Sequence, residues 1–388
     1  GAVCMALMCQ DRGYTRMILP EKNAPEATIA QGVGVYGVGH LREVVDLLIQ
    51  PESRDPLPTV DFEDQEPPDY GADFGDVKGQ GTAKRALEIA AAGGHNMIMV
   101  GSPGSGKTML ARRLPTILPP LTREEAIQVT RVYSSAGAMD GRNGLIWERP
   151  FRSPHHGASH AAIVGGGRMP KPGQISLAHN GVLFLDEMPE FDRNVLEGLR
   201  QPLEDGVISV ARVQASMDFP ARLMLIGALN PCPCGYHGDK VKACSCTPDA
   251  IRRYMGRLSG PLLDRIDMHI QVPRLGHDEL ITGRTGEDSA TIRGRVTRAR
   301  KAQAERLGGG DKVNARMSPR ELRAHCTLDS GCTEFLRVAS MRLGLSARVF
   351  DRVIKVARTI ADLQGEAEIK EDHLSEAVQY RTLDRGLI

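Results

Sequence analysis

Three runs of consecutive apolar residues interrupt an otherwise mixed chain: Met97-Ile-Met-Val100, Val182-Leu-Phe-Leu185 and Leu223-Met-Leu-Ile-Gly-Ala-Leu229, with an alternating stretch, Met268–Val272, further on. Unbroken runs this short read as strands covered on both faces, the pattern of a parallel sheet between helices. Helical spacing separates them. Ala83, Leu87, Ala90 and Ala91 share one face of a predicted helix over Thr82–Ala92, and Met-Leu-Ala-Arg-Arg-Leu after Thr108 begins another. Beyond residue 277 the chain reads as predominantly helical. Arg293–Leu307 ends at Gly308-Gly-Gly310, and Ser318-Pro-Arg-Glu321 has the capping-box pattern with Pro at the first helical position. Val349, Val353, Val356, Ile360 and Leu363 recur at spacings of three or four, and Glu371–Arg381 supplies a last helix. The fold class is therefore α/β, with a sheet core over 76–276 and a helical domain over 277–388.

The front of the chain differs. Val3–Gln10 is apolar, Thr15–Pro20 and the Gly-Val-Gly-Val-Tyr-Gly-Val of 32–38 look strand-like, and Leu41–Ile49 looks helical. Residues 1–50 thus read as a βαβα unit too small to bury a full core, the tail of a domain whose beginning is absent. Pro51 to Gly75 is rich in proline and acidic residues and predicts an extended, mobile linker.

Composition narrows the class. No run of about 18 apolar residues occurs and no signal peptide opens the chain, so a cytoplasmic location without membrane insertion is expected. The net charge of +1 conceals an acidic front, five basic against 14 acidic residues over 1–76, and a basic core, 24 against 17 over 77–276. A basic core permits a polyanionic partner without requiring one. Four of the eight cysteines fall in one short stretch, which points to metal rather than to disulfides.

The chemistry is concentrated where the strands end. Gly101-Ser102-Pro103-Gly104-Ser105-Gly106-Lys107-Thr108 follows the first apolar run and has the G-x-x-x-x-G-K-T pattern of a phosphate-binding loop. Its glycines let the backbone N–H groups curl around a phosphate, Lys107 reaches the same oxygens, Thr108 holds Mg²⁺, and Met109 opens a helix whose N-terminus favours an anion. The second run delivers Asp186 and Glu187, suited respectively to holding Mg²⁺ and to polarising an attacking water for hydrolysis. Taken alone, that pair is as well read as a helix cap. The third run ends in Asn230, either a hydrogen-bond partner of the γ-phosphate or attacking water, or a turn residue before Pro231. Arg265, in Leu263-Asp-Arg-Ile-Asp267, is placed where ring ATPases lend an arginine to a neighbour's γ-phosphate; the alternative is a structural pair with Asp264 or Asp267. Val77 and Gly79 are candidates for base contacts. His155 and His156 point in different directions and suit local loop bonding better than a joint metal site.

Cys232, Cys234, Cys244 and Cys246, within an insertion over 231–247, supply two C-x-C pairs nine residues apart. Four thiolates suit tetrahedral Zn²⁺ in a structural role with no open catalytic position. Free thiols or a redox pair remain open as alternatives.

Several stretches together carry a resemblance: Phe151-Arg-Ser-Pro-His-His156, Gly173–Glu187, Asn230-Pro-Cys-Pro-Cys-Gly235, Leu258–Asp267 and Ala357-Arg-Thr-Ile-Ala-Asp-Leu363. From Asp73 onward the sequence resembles the magnesium-chelatase-like AAA+ ATPases of the ComM/YifB type, and residues 1–50 look like the C-terminal end of that family's Lon-protease-like domain. The resemblance implies a hexameric ring that hydrolyses ATP with Mg²⁺ at subunit interfaces and moves on DNA, as a helicase driving branch migration in natural transformation. The related chelatase subunit instead serves porphyrin metallation, and a nucleotide-switched scaffold is a third reading. In the helix-2-insert branch, hairpins project into the ring's pore. Arg168, after His160-Ala-Ala-Ile-Val-Gly-Gly-Gly, and Arg212, in the hairpin expected over Gly206–Ser216, would then grip DNA phosphates without reading bases. Arg348, in the first turn of the helix near Ser346, is the candidate lid arginine at the nucleotide, with Arg352 its rival.

Overall fold

The computed structural model describes residues 1–59, 68, 70–139, 144–167, 170–212, 215–239, 241–276, 286–310 and 312–381. At its centre, the three apolar runs and the alternating stretch form strands β3 (Met97–Val100), β7 (Val182–Leu185), β10 (Met224–Leu229) and β11 (Met268–Gln271), joined at one edge by the short β4 (Phe151–Arg152). All five are parallel, in the order β11-β3-β10-β7-β4.

Side chains alternate across each strand, and both faces are dry. Met97, Met99, Phe184, Ile226, Met268 and Ile270 join one core, and Ile98, Val100, Leu183, Leu185 and Leu225 join the other. Double coverage explains why the sequence shows unbroken apolar runs rather than alternation. The first core is closed by the helices Gly81–Gly93, Lys107–Ile117 and Ser289–Leu307, and by the helix Ala347–Gln364, whose Val349, Val353, Val356 and Ile360 are all buried there. The C-terminal helices therefore share a core with the sheet. A polar network reinforces the junction: Thr359 Oγ1 meets His95 Nε2 at 2.8 Å, Asn314 Nδ2 donates to Thr359 Oγ1 and Asp362 Oδ2 at 3.0 and 2.8 Å, and Arg306 and Arg358 both grip Asp362.

At the other end of the chain, β1 (Arg16–Pro20) and β2 (Gly34–Val38) form a two-stranded parallel sheet with the helix Leu41–Ile49 after it. The apolar stretch that opens the chain is the helix Ala2–Asp11, with Val3, Ala6 and Leu7 buried, and it precedes the strand-helix-strand-helix order of 16–49. This unit is too small to cover itself. It leans on the helix Arg123–Ala136, where Ser134 Oγ donates to Glu26 Oε2 at 2.7 Å and the amino terminus donates to Ser134 O at 2.9 Å. Of the stretch expected as a linker, 51–59 carries no helix or strand, and most of 60–69 lies outside the described residues.

Two hairpins interrupt the core. β5 (Gly165–Gly166) pairs with β6 (Lys171–Pro172), and β8 (Val207–Arg212) with β9 (Ala215–Pro220), both antiparallel. They lie side by side, since Gly165 leaves only 3.3 Å between a would-be Cβ and Val210 Cγ2.

Candidate nucleotide and metal sites

The loop after β3 wraps an open cavity of about 470 Å³ lined by residues 103–109, Asp186, Glu187 and Asn230. Gly104 and Gly106 turn there with φ of +77° and +91°, which side chains other than glycine adopt at a cost. Gly101 has a different reason to be glycine: a Cβ would stand 2.3 Å from Val272 O, because β11 presses against β3 at that point. The helix from Lys107 begins inside the loop, so its unpaired N–H groups and dipole face the cavity.

Lys107 Nζ donates to Gly101 O at 2.6 Å, to Ser102 O at 3.1 Å and to Asn230 Oδ1 at 3.4 Å. Burial pushes its pKa down, with Asp186 and Glu187 opposing that shift. Thr108 Oγ1 donates to Asp186 Oδ2 at 2.7 Å, which fits a hard cation held by hydroxyl, carboxylate and water. Glu187, half exposed, follows in a left-handed conformation with φ of +50°, and its N–H donates to Asp186 Oδ1 at 3.0 Å. The spacing on three separate strands thus converges at one sheet edge, because parallel strands present all their C-termini together.

Other expected positions divide. His155 Nδ1 accepts from the Gly157 N–H at 3.0 Å, the local loop bond expected of it. His156 does something the sequence does not announce: its Nδ1 stands 3.6 Å from Glu187 Oε2. Val77 is fully buried in the core and Gly79 packs on Leu275, so neither side of that segment lines the phosphate cavity. Gln80, unremarked in the sequence, braces the loop by donating to Ser105 O at 3.2 Å and Pro273 O at 2.8 Å. Arg168 and the side chain of Arg212 lie outside the described residues; the backbone of Arg212 ends β8 at the hairpin tip.

The arginines stand apart from this cavity. Arg265 is mostly buried; its Nε donates to Glu204 Oε2 at 2.9 Å and its Nη1 to Pro261 O at 2.8 Å. Its partner is therefore Glu204, rather than Asp264 or Asp267. Arg348 and Arg352 also act on Glu204, whose carboxyl is held below its ordinary range chiefly by the Arg265 hydrogen bond. Arg352 pairs with Asp267, where burial raises the carboxyl's pKa but Arg352 and His95 outweigh it and leave it well below normal. Asp267 precedes β11, whereas Val272, past the far end of that strand, donates to Val100 O beside the phosphate loop at 2.7 Å. The arginines therefore occupy the opposite sheet edge from their own phosphate cavity.

The four clustered cysteines converge. Their sulfurs all lie within 4.8 Å of one another, with Cys232–Cys234 at 3.4 Å, Cys232–Cys244 at 3.7 Å and Cys234–Cys244 at 3.6 Å. A tetrahedral ion with bonds of ~2.3 Å spaces its sulfurs by ~3.8 Å, so the set fits Zn²⁺. Backbone N–H groups of His237 and Cys234 point at Cys232 Sγ and Cys246 Sγ, at 3.3 and 3.4 Å. Amides of Ser245 and Tyr236 lower the Cys234 thiol, whereas burial and the neighbouring sulfurs raise those of Cys244 and Cys246, so the crowded set does not hold four thiolates by itself.

A glycine-rich loop, an acidic pair on a strand, and a polar strand end inserted between them define a P-loop nucleoside triphosphatase core of the AAA+ class. Residues 73–280 match the family model described as magnesium chelatase, subunit ChlI, and 286–381 match its C-terminal model. The chain is 45% identical to the competence protein ComM of Haemophilus influenzae, over 99% of this chain and 75% of that protein. It is 44% identical to the uncharacterized protein YifB of Escherichia coli over 96% and 72%, and 26% identical to the magnesium-chelatase 67 kDa subunit of Heliobacterium mobile over 50% and 30%. The chain belongs to the magnesium-chelatase-like AAA+ ATPase family of the ComM/YifB type.

Proposed function

We propose that this chain is a Mg²⁺-dependent ATPase that assembles into a ring, most simply a hexamer, and uses hydrolysis to move on DNA, promoting branch migration during natural transformation. One observation carries the ring. Among the described residues Lys107 is the only cation lining the phosphate cavity, while Arg265, Arg348 and Arg352 gather at the opposite sheet edge. A cavity that must stabilise the charge of phosphoryl transfer is completed when a second copy presents that edge to it. Arg348 on this reading serves a neighbour's nucleotide, not its own.

Within the cavity, Lys107 and the loop amides orient the β/γ-phosphates, and Glu187 takes the proton of the attacking water, with His156 beside it to hold its carboxylate in place. Thr108 and Asp186 would hold Mg²⁺, which when bound would neutralise charge on the triphosphate. Asn230 links Lys107 to the γ-phosphate position. Zn²⁺ on Cys232, Cys234, Cys244 and Cys246 is structural, since four thiolates fill its coordination. DNA is the polyanion that the two adjacent hairpins would grip, through Arg168 and Arg212, by phosphate contact alone.

The name of the Haemophilus relative, a competence protein, supports the DNA reading over its rival. The rival, an ATPase that remodels a metal-inserting partner, draws on the chelatase family models and the Heliobacterium relative. ATP turnover measured with and without branched DNA separates them. The expectation is DNA-stimulated turnover, abolished by Glu187→Gln, and with stimulation but not basal turnover reduced by Arg212→Ala. Turnover indifferent to DNA would overturn the DNA reading.

A further inference from the structure

The cysteine insertion does not stand clear of the nucleotide site; it forms one wall of the phosphate loop. Gly235, in the turn after Cys234, packs so closely on Pro103 that a Cβ would stand 2.7 Å from both Cγ and Cδ of that ring. Asp239 faces the loop as well, since the nearby Ser102 side chain lowers its carboxyl, a second point of approach between insertion and loop. Asn230, whose Oδ1 accepts from Lys107 Nζ at 3.4 Å, is two residues from the first metal-binding sulfur.

The insertion has almost nothing else to hold it. Among its described residues over 231–247, only Pro231, Cys232 and Gly235 are buried. A segment without an apolar core gains its order from a cross-link, and here the four sulfurs are the cross-link available. Release of the ion would free Gly235 and Asp239 to leave Pro103 and Ser102, and the loop would lose the surface that fixes its outer turn.

We propose that occupancy of the Cys232–Cys234–Cys244–Cys246 site by Zn²⁺ sets the affinity of the phosphate loop for nucleotide, so that metal and nucleotide bind cooperatively. The inference rests on the zinc reading above and adds a coupling to it. Coupling is reciprocal: bound nucleotide should slow the loss of zinc as much as zinc strengthens nucleotide binding.

The test titrates full-length chain with a fluorescent ATP analogue in Mg²⁺ buffer in three states: as purified under reducing conditions, stripped with a zinc-selective chelator that spares Mg²⁺, and with zinc restored. Metal content is measured on each. The expected result is about one zinc per chain, affinity about tenfold weaker after stripping, and recovery on restoration. Zinc bound but affinity unchanged on stripping overturns the coupling and leaves the zinc site standing. No zinc retained overturns both. Gly235→Ala, which keeps all four sulfurs, supplies the second arm: zinc content unchanged with weakened nucleotide binding is expected, and unchanged binding overturns the contact with Pro103 as the link.

Discussion

His179 shows how a single residue in a resembling stretch can be purely structural. It is almost fully buried, its Nδ1 accepts from the Arg222 N–H at 3.0 Å, and its Nε2 meets Gln128 Oε1 at 3.0 Å. The first bond requires an unprotonated Nδ1 and hence a neutral ring, whose proton sits on Nε2 and is donated to Gln128. Burial, and then the guanidinium groups of Arg316 and Arg222, push its pKa down to about 3. An unfolded histidine titrates near ~6.5, so the unfolded chain binds the proton first. Stability contributed by neutral His179 is thus complete above that value and is lost as pH falls toward 3, at up to roughly 1.4 kcal/mol per pH unit. Unfolding midpoints measured from pH 7 to pH 5 should drop more steeply for the native chain than for His179→Gln. Equal slopes would mean that the ring is not held neutral.

The same separation of roles appears at the scale of the loop and its strands, where two glycines of one motif have different reasons to be glycine. At Gly104 nothing lies within 4 Å of a would-be Cβ, so Gly104→Ala bears only the left-handed backbone strain of about 1–2 kcal/mol. Gly101→Ala meets the Val272 carbonyl at 2.3 Å and must part β11 from β3, a loss of roughly 1–3 kcal/mol or more. Denaturant unfolding should therefore rank Gly101→Ala as the more damaging, and the reverse order would refute the close strand approach. The motif itself was legible because loop, strand and helix are contiguous, and each apolar run carries its own signature of double burial. The same holds for the paired hairpin at β8 and β9, and for the Val349–Ile360 face. What joins distant segments was not legible. Nothing local to Arg265 announces Glu204, nothing in Phe151–His156 places His156 beside Glu187, and no spacing reveals that Gly235 rests on Pro103. The helix Ala2–Asp11 belongs with these, because a short apolar run fits strand and helix alike and its packing against Arg123–Ala136 is not written locally.

For the whole molecule, the decisive feature is that the phosphate cavity and the arginine edge lie at opposite ends of one sheet. On the ring reading, Arg265 must exchange its partner on assembly, from Glu204 of its own chain to a phosphate of the next. Glu204 belongs to the short helix Arg200–Asp205 that runs into Gly206 and the β8–β9 hairpin, so the exchange also releases the base of an element proposed to touch DNA. Glu204 is 52% exposed, and an ion pair this open to solvent is worth about 1 kcal/mol or less. Removing its charge should therefore favour the assembled state modestly. Glu204→Gln is expected to raise ATP turnover about two- to fivefold at protein concentrations where assembly is incomplete, and to leave it unchanged at saturation. Arg265→Ala should abolish turnover at every concentration while sparing nucleotide binding, and mixing it with Lys107→Ala chains should restore part of the activity, because each supplies what the other lacks. Turnover per chain independent of concentration, or no restoration on mixing, would show that the arginine edge serves its own subunit's fold and not a neighbour's nucleotide.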